Sequence, residues 1–210
     1  MNARQTLRIA TPVGLAALLL VSPVAPAASA GSPTEQLKRS IDTAMKLLQQ
    51  PEPDSKERRA AIREIANKTF DFEETAKRSL AQHWRERTER EQQEFVQLFA
   101  DLWARTGFFR IDQYGGERIV YFDETLDGDR ATVRTRVIMG RGSEVPVDYR
   151  MHRRGDRWLV YDLLIGGVSL VGNYRSQLSK IIRKSSYEAL VQKLKAKRAR
   201  AREQETMARR

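Results

Sequence analysis

The 210-residue sequence contains no cysteine and only two histidines. Without cysteine there is no disulfide framework and no acylated-cysteine anchor. Neither His83 nor His152 has a second histidine or a cysteine at ligand spacing, which argues against a transition-metal site. Each reads as an ordinary surface or capping histidine. The apolar run Ile9–Val21 is interrupted by Pro12 and Gly14 and falls short of the roughly 20 residues needed to span a bilayer. No P-loop or dinucleotide glycine fingerprint occurs. Gly167-Val168-Ser169-Leu170-Val171 looks like a nucleophile elbow but fails at Val171, where that motif needs glycine. Ser169 is better read as a helix N-terminal residue.

What is present begins with a leader. Met1–Arg8 is basic, Ile9–Val21 is apolar, and Ala28-Ser29-Ala30 is a small-x-small cleavage site before Gly31. That order is a secretory signal peptide over residues 1–30 rather than a retained interfacial anchor. The chain beyond it is expected to be exported and soluble, and is long enough for one domain with a substantial core.

The formal charge of +11 is unevenly spread. Without Arg4 and Arg8 it is +9, and residues 189–210 hold eight Lys or Arg against Glu203 and Glu205. A nearly balanced body, 31–188, therefore carries a basic end, 189–210. Such a tail is a solvated or steering segment suited to acidic headgroups or an acidic partner surface. Export makes nucleic acid an improbable target.

Leu37, Ile41, Ala44, Met45 and Leu48 share one helical face, and Pro51-Glu52-Pro53 ends that helix. A second starts near Asp54 and Glu57, with Ile62, Ile65 and Ala66 as its apolar positions. Asp71 with Glu74 begins a third, which carries Ala76 and Leu80. Thr88-x-x-Glu91 is a capping box opening a helix with Phe95, Leu98, Phe99, Leu102, Thr106 and Phe109 on a shared face. The period then changes. Residues 117–125, 130–139, 144–151 and 158–165 read as four strands, separated by Asp127-Gly128, Gly140-Arg141-Gly142 and Gly155-Asp156. Val133, Thr135 and Val137 oppose Arg134 and Arg136; Val145, Val147, Tyr149 and Met151 oppose Glu144, Asp148 and Arg150. One sheet face is thus apolar and one charged. After Gly166-Gly167 a helical period returns with Leu170, Val171, Tyr174, Leu178, Ile181 and Ile182. Ser185-x-x-Glu188 is a second capping box before a terminal helix that runs out into the basic tail. The fold class is α+β: a four-stranded antiparallel twisted sheet covered by N- and C-terminal helices, with an apolar cavity between them.

Two carboxylates merit consideration as a general base, Asp148 and Asp162. Asp148 belongs to the charged face by alternation. Asp162 lies in an otherwise apolar strand and is expected to be buried and paired, with an arginine such as Arg175.

Several segments between Phe70 and Tyr187 resemble the MlaC family, also called the toluene-tolerance or auxiliary-transport family. They are Asp71-Phe72 followed by His83-Trp84, the Phe95–Leu102 helix, Val147-Asp148-Tyr149-Arg150, and Trp158-Leu159-Val160-Tyr161-Asp162. Gly167-Val168-Ser169-Leu170-Val171, Asn173-Tyr174-Arg175-Ser176-Gln177 and Ser186-Tyr187-Glu188 complete the likeness. Leu178 departs from it, standing where many relatives carry an aromatic, and the long basic tail is not explained by it. The resemblance implies a periplasmic, non-enzymatic phospholipid carrier without cofactor. It would run between an outer-membrane lipoprotein complex and an inner-membrane ABC transporter bearing an MCE-domain subunit, and so maintain outer-membrane lipid asymmetry. Strand parity and helical phase then give an expected tail lining of Val133, Val137, Val147, Tyr149, Val160, Leu164, Leu170, Val171 and Tyr174, faced by Phe99, Leu102 and Phe109. Two other readings compete. One is a small-molecule-binding protein or enzyme of cone-shaped α+β fold using Asp162 as base. The other is an adaptor whose interior is packed core and whose basic tail does the binding.

Overall fold

Ser32 opens the first helix: its hydroxyl accepts from the Glu35 N–H at 3.2 Å while the Glu35 carboxylate accepts from the Ser32 N–H at 3.0 Å, a reciprocal cap. The computed structural model describes residues 31–49, 56–104, 116–140 and 142–207. The leader, Pro51-Glu52-Pro53, Asp54, Thr106, Phe108, Phe109, Tyr114, Gly115 and Arg141 lie outside the described residues. Helix α1 spans Pro33–Leu48, α2 Lys56–Thr69 and α3 Phe72–Leu80, and a 3-10 turn comes next over Ala81–Trp84. Helix α4 spans Glu89–Ala104.

The capping residues expected for α3 and α4 are in place. Asp71 accepts from the Glu74 N–H at 2.9 Å. Thr88 and Glu91 exchange bonds, Glu91 N–H to the Thr88 hydroxyl and Thr88 N–H to the Glu91 carboxylate. Each satisfies donors that a helix start otherwise leaves unpaired. Ala81 ends α3 with φ +52°, a left-handed conformation that costs a residue bearing a Cβ.

The sheet is an antiparallel meander: β1 Arg118–Asp127, β2 Arg130–Ile138, β3 Glu144–Arg154, β4 Arg157–Ile165 and β5 Val168–Ser169, in spatial order β1-β2-β3-β4-β5. It has five strands where four were expected. The fifth is two residues paired through Leu164↔Ser169 and Ile165↔Val168 across the Gly166-Gly167 turn, and two residues carry no alternation to read. Both glycines of that turn have positive φ, a conformation glycine adopts without cost. Helix α5 (Leu170–Lys184) and α6 (Tyr187–Met207) complete the chain. Ser169 accepts from the Gly172 N–H and caps α5, as its sequence context indicated. The cap of α6 is Ser186, which accepts from the Ala189 N–H, not Ser185. Ser185 instead closes α5 by donating its N–H to Ile181, and two adjacent serines left this one-residue ambiguity. The basic end stays helical to Met207.

The core gathers on one face of the sheet. Ala131, Val133, Val147, Tyr149, Met151, Val160 and Leu163 are buried there with Leu37 of α1, Phe95 and Phe99 of α4, and Val171 and Leu178 of α5. The charged face carries Arg134 against Asp123 and Arg136 against Glu144.

Candidate functional site

The inner face of β2, β3 and β4 is set by register. Val133 lies opposite Tyr149, Thr135 opposite Val147, Tyr149 opposite Leu163, and Met151 opposite Val160. Its helical roof is aromatic. Phe99 and Tyr174 meet edge to face at 5.2 Å between centroids, Trp103 and Tyr174 lie 6.0 Å apart, and Phe95 stacks on Phe99 at 5.6 Å. Such geometries are those aromatic rings prefer. Beside this cluster, the buried Thr135 hydroxyl donates to the Val147 carbonyl at 2.8 Å. Burial pushes the Tyr149 phenol well above its ordinary value, with neighbouring Tyr121 adding to the shift. The Tyr121 hydroxyl has no hydrogen-bond partner among the described residues.

Of the twelve residues expected to line a pocket, Phe99, Val133, Val147, Tyr149, Val160 and Val171 are brought together in this cluster, each at most 2 % exposed. Leu102, Val137, Leu170 and Tyr174 pack against it half-buried. Phe109 falls outside the described residues. Leu164 is on the other side of the sheet. The register slips between Arg150 and Met151, so that Arg150 faces Asp162 and Asp148 faces Leu164. Tyr161 is the extra residue of this bulge, and one inserted residue reverses the facing of every later residue in the strand. Leu163, not Leu164, therefore points inward. Strict alternation from Val160 misses it; Trp103, by contrast, stands one helical turn beyond Phe99 and was open to phase counting.

Two surface grooves lie elsewhere. One, of about 450 Å3, runs between Gln36, Arg39, Lys68, Arg157 and Trp158. The other, of about 510 Å3, runs between α4 and α6 at Glu94, Leu98, Lys195 and Arg198. Between the sheet and the helices, where an apolar cavity is expected, the described side chains form one apolar cluster.

Asp162 is buried, and both of its oxygens are hydrogen-bonded. One accepts from the Val171 N–H at 3.0 Å; the other accepts from the Ser169 hydroxyl at 2.7 Å and pairs with Arg150 at 3.4 Å. Arg175, the arginine expected to pair with it, donates instead to the Arg78 carbonyl. The bulge is the reason, since it swings Asp162 to the face that Arg150 occupies. A carboxylate so placed holds the first turn of α5 to β4.

The histidines are less ordinary than expected. His83 is buried, 3.5 Å from the Ser179 hydroxyl. His152 is half-buried with Nε2 3.0 Å from Asp71, which also takes the Arg154 guanidinium at 2.8 Å. Both lie at element junctions, which composition does not reveal. Among the described residues, no group of three His, Cys, Asp or Glu suits a metal ion, and no helix is long and apolar enough to cross a membrane.

Comparison with known proteins bears on this geometry. The family described as MlaC protein matches residues 38–196, which takes in every described element except the start of α1 and the end of α6. The fold is that of a phospholipid-binding protein from Ralstonia solanacearum, solved in complex with a phospholipid, with a TM-score of 0.72. That protein is 22% identical over 81% of this chain and 98% of its own. No curated protein matches by sequence.

Proposed function

The chain belongs to the MlaC family, and on that premise we propose that it binds a phospholipid, with the acyl chains held between the inner sheet face and helices α4 and α5. The observation carrying this reading is the apolar, two-walled cluster in which Val133, Val147, Tyr149 and Val160 are packed with Phe99, Val171 and Tyr174. Each methylene withdrawn from water is worth about 0.8 kcal/mol, so a surface of this kind supplies affinity for tails without recognising a headgroup. The structural neighbour's bound phospholipid supports the same ligand class. The finer reading is a periplasmic carrier delivered by the leader. It would pass lipid between an outer-membrane lipoprotein complex and an inner-membrane ABC transporter with an MCE-domain subunit, and maintain outer-membrane lipid asymmetry. It needs no cofactor and performs no reaction.

Native mass spectrometry of the protein purified without detergent tests the proposal. The expected species carries phospholipid in stoichiometric amount. A lipid-free species that also takes up nothing from phospholipid vesicles overturns it.

A further inference from the structure

The basic end of the chain forms a shaped surface. Helix α6 runs beside α4, with Lys195 paired to Glu94 at 2.6 Å and Arg198 to Asp101 at 3.4 Å. Leu190, Val191 and Leu194 are buried on the same side. These contacts fix the helix's rotation. Lys193, Lys197 and Arg200 succeed one another at steps of four and three, and so stack along a single face. All three are exposed, and none is paired with a carboxylate among the described residues. Like charges at this spacing repel along a helix, so the stripe opposes the helix that carries it and is relieved by any anionic surface.

We propose that this stripe is an electrostatic landing surface for bilayers containing anionic phospholipid. Two features favour a membrane over an acidic protein. A protein interface is built round an apolar or aromatic core. The exposed large apolar residues of the described chain are Val120, Phe122, Leu126, Met139, Val168 and Met207; none lies between Tyr187 and Thr206. A diffuse layer of headgroup charge requires no such anchor. The apolar side of α6 is already buried in the protein, which prevents insertion, so binding is peripheral and reversible. The stripe also sits on the helix that packs against α4 and α5, the two helices of the proposed lipid wall. The inference thus rests on the carrier reading for its purpose, although not for its chemistry.

Flotation with vesicles of phosphatidylcholine containing phosphatidylglycerol, against vesicles of phosphatidylcholine alone, reads the effect directly. The purified protein is expected to float with the anionic vesicles at low salt and to be released as salt rises through the physiological range. Lys193→Gln/Lys197→Gln/Arg200→Gln is expected to weaken that binding about a hundredfold, at roughly fivefold per cation near the surface, with its circular dichroism and its bound lipid by mass spectrometry unchanged. Equal binding to neutral vesicles, salt-insensitive binding, or an unaffected triple variant overturns the inference, as does a stripe that captures an acidic protein but no vesicle. The salt series on the unaltered protein needs no variant to fold. Loss of co-purifying lipid with vesicle binding intact would count against the carrier reading and leave the landing surface standing.

Discussion

Asp162 accepts a hydrogen bond from the backbone N–H of Val171 at 3.0 Å, and this bond joins the last inward-facing strand to the helix that roofs it. Removing the carboxylate with Asp162→Ala strands that buried N–H and the Ser169 hydroxyl. A loss of about 2–3 kcal/mol is expected, the range for leaving buried groups unsatisfied. Half-exposed Arg150 adds little to it. Asp162→Asn retains an acceptor and should lose about half as much. Urea denaturation of both variants measures the difference; equal, negligible losses would remove Asp162 from this role.

Ala81 stands at φ +52°, where glycine is at ease and alanine is not. Ala81→Gly is expected to raise stability by about 1 kcal/mol, relief of local strain outweighing the added freedom of the unfolded chain. A thermal melt that moves downward contradicts this.

Tyr187 gives the protein an alkaline limit. Its hydroxyl donates to the Glu91 carbonyl at 3.1 Å, and burial, with Glu91 adding, pushes its phenol up to about 12. The folded form therefore prefers the neutral phenol. Its contribution is fully present below the unfolded value near 10 and is lost as pH rises through about 12. Tyr121 and Tyr149, also shifted upward by burial, act in the same direction. The denaturation midpoint should fall steeply above pH 10, and Tyr187→Phe should flatten the first part of that fall at the expense of one hydrogen bond.

Val147 is 1 % exposed beneath the helical roof. Val147→Phe should cost about 1–3 kcal/mol by overpacking and should lower the amount of co-purifying phospholipid, both readable on one preparation. A variant that loses stability but keeps its full lipid load would take Val147 out of the proposed wall.

Local signals were the most legible part of the chain. The Thr88–Glu91 and Asp71–Glu74 caps each depend on a few neighbouring side chains, and the sheet's apolar face emerged from period-two alternation in β2 and β3. The helix order and the α+β class came from the change of period alone. The bulge beside Tyr161 was not legible, because it arises from how β4 meets β3 and leaves no mark in β4 itself. It moved Leu164 outward, brought Leu163 inward and gave Asp162 to Arg150 in place of Arg175. The two-residue β5 and the choice of Ser186 over Ser185 were hidden for a related reason: each is decided by a partner distant in sequence or by one backbone angle.

The tight burial of the sheet's inner face has a consequence for any molecule that would lie against it. Phe99, Val133, Val147, Tyr149, Val160 and Val171 are each at most 2 % exposed, so anything that enters between sheet and helices must first separate side chains that already share one cluster. Loading then resembles opening a book: the covers have to part before a page goes in, and that parting is part of what any ligand's burial has to offset.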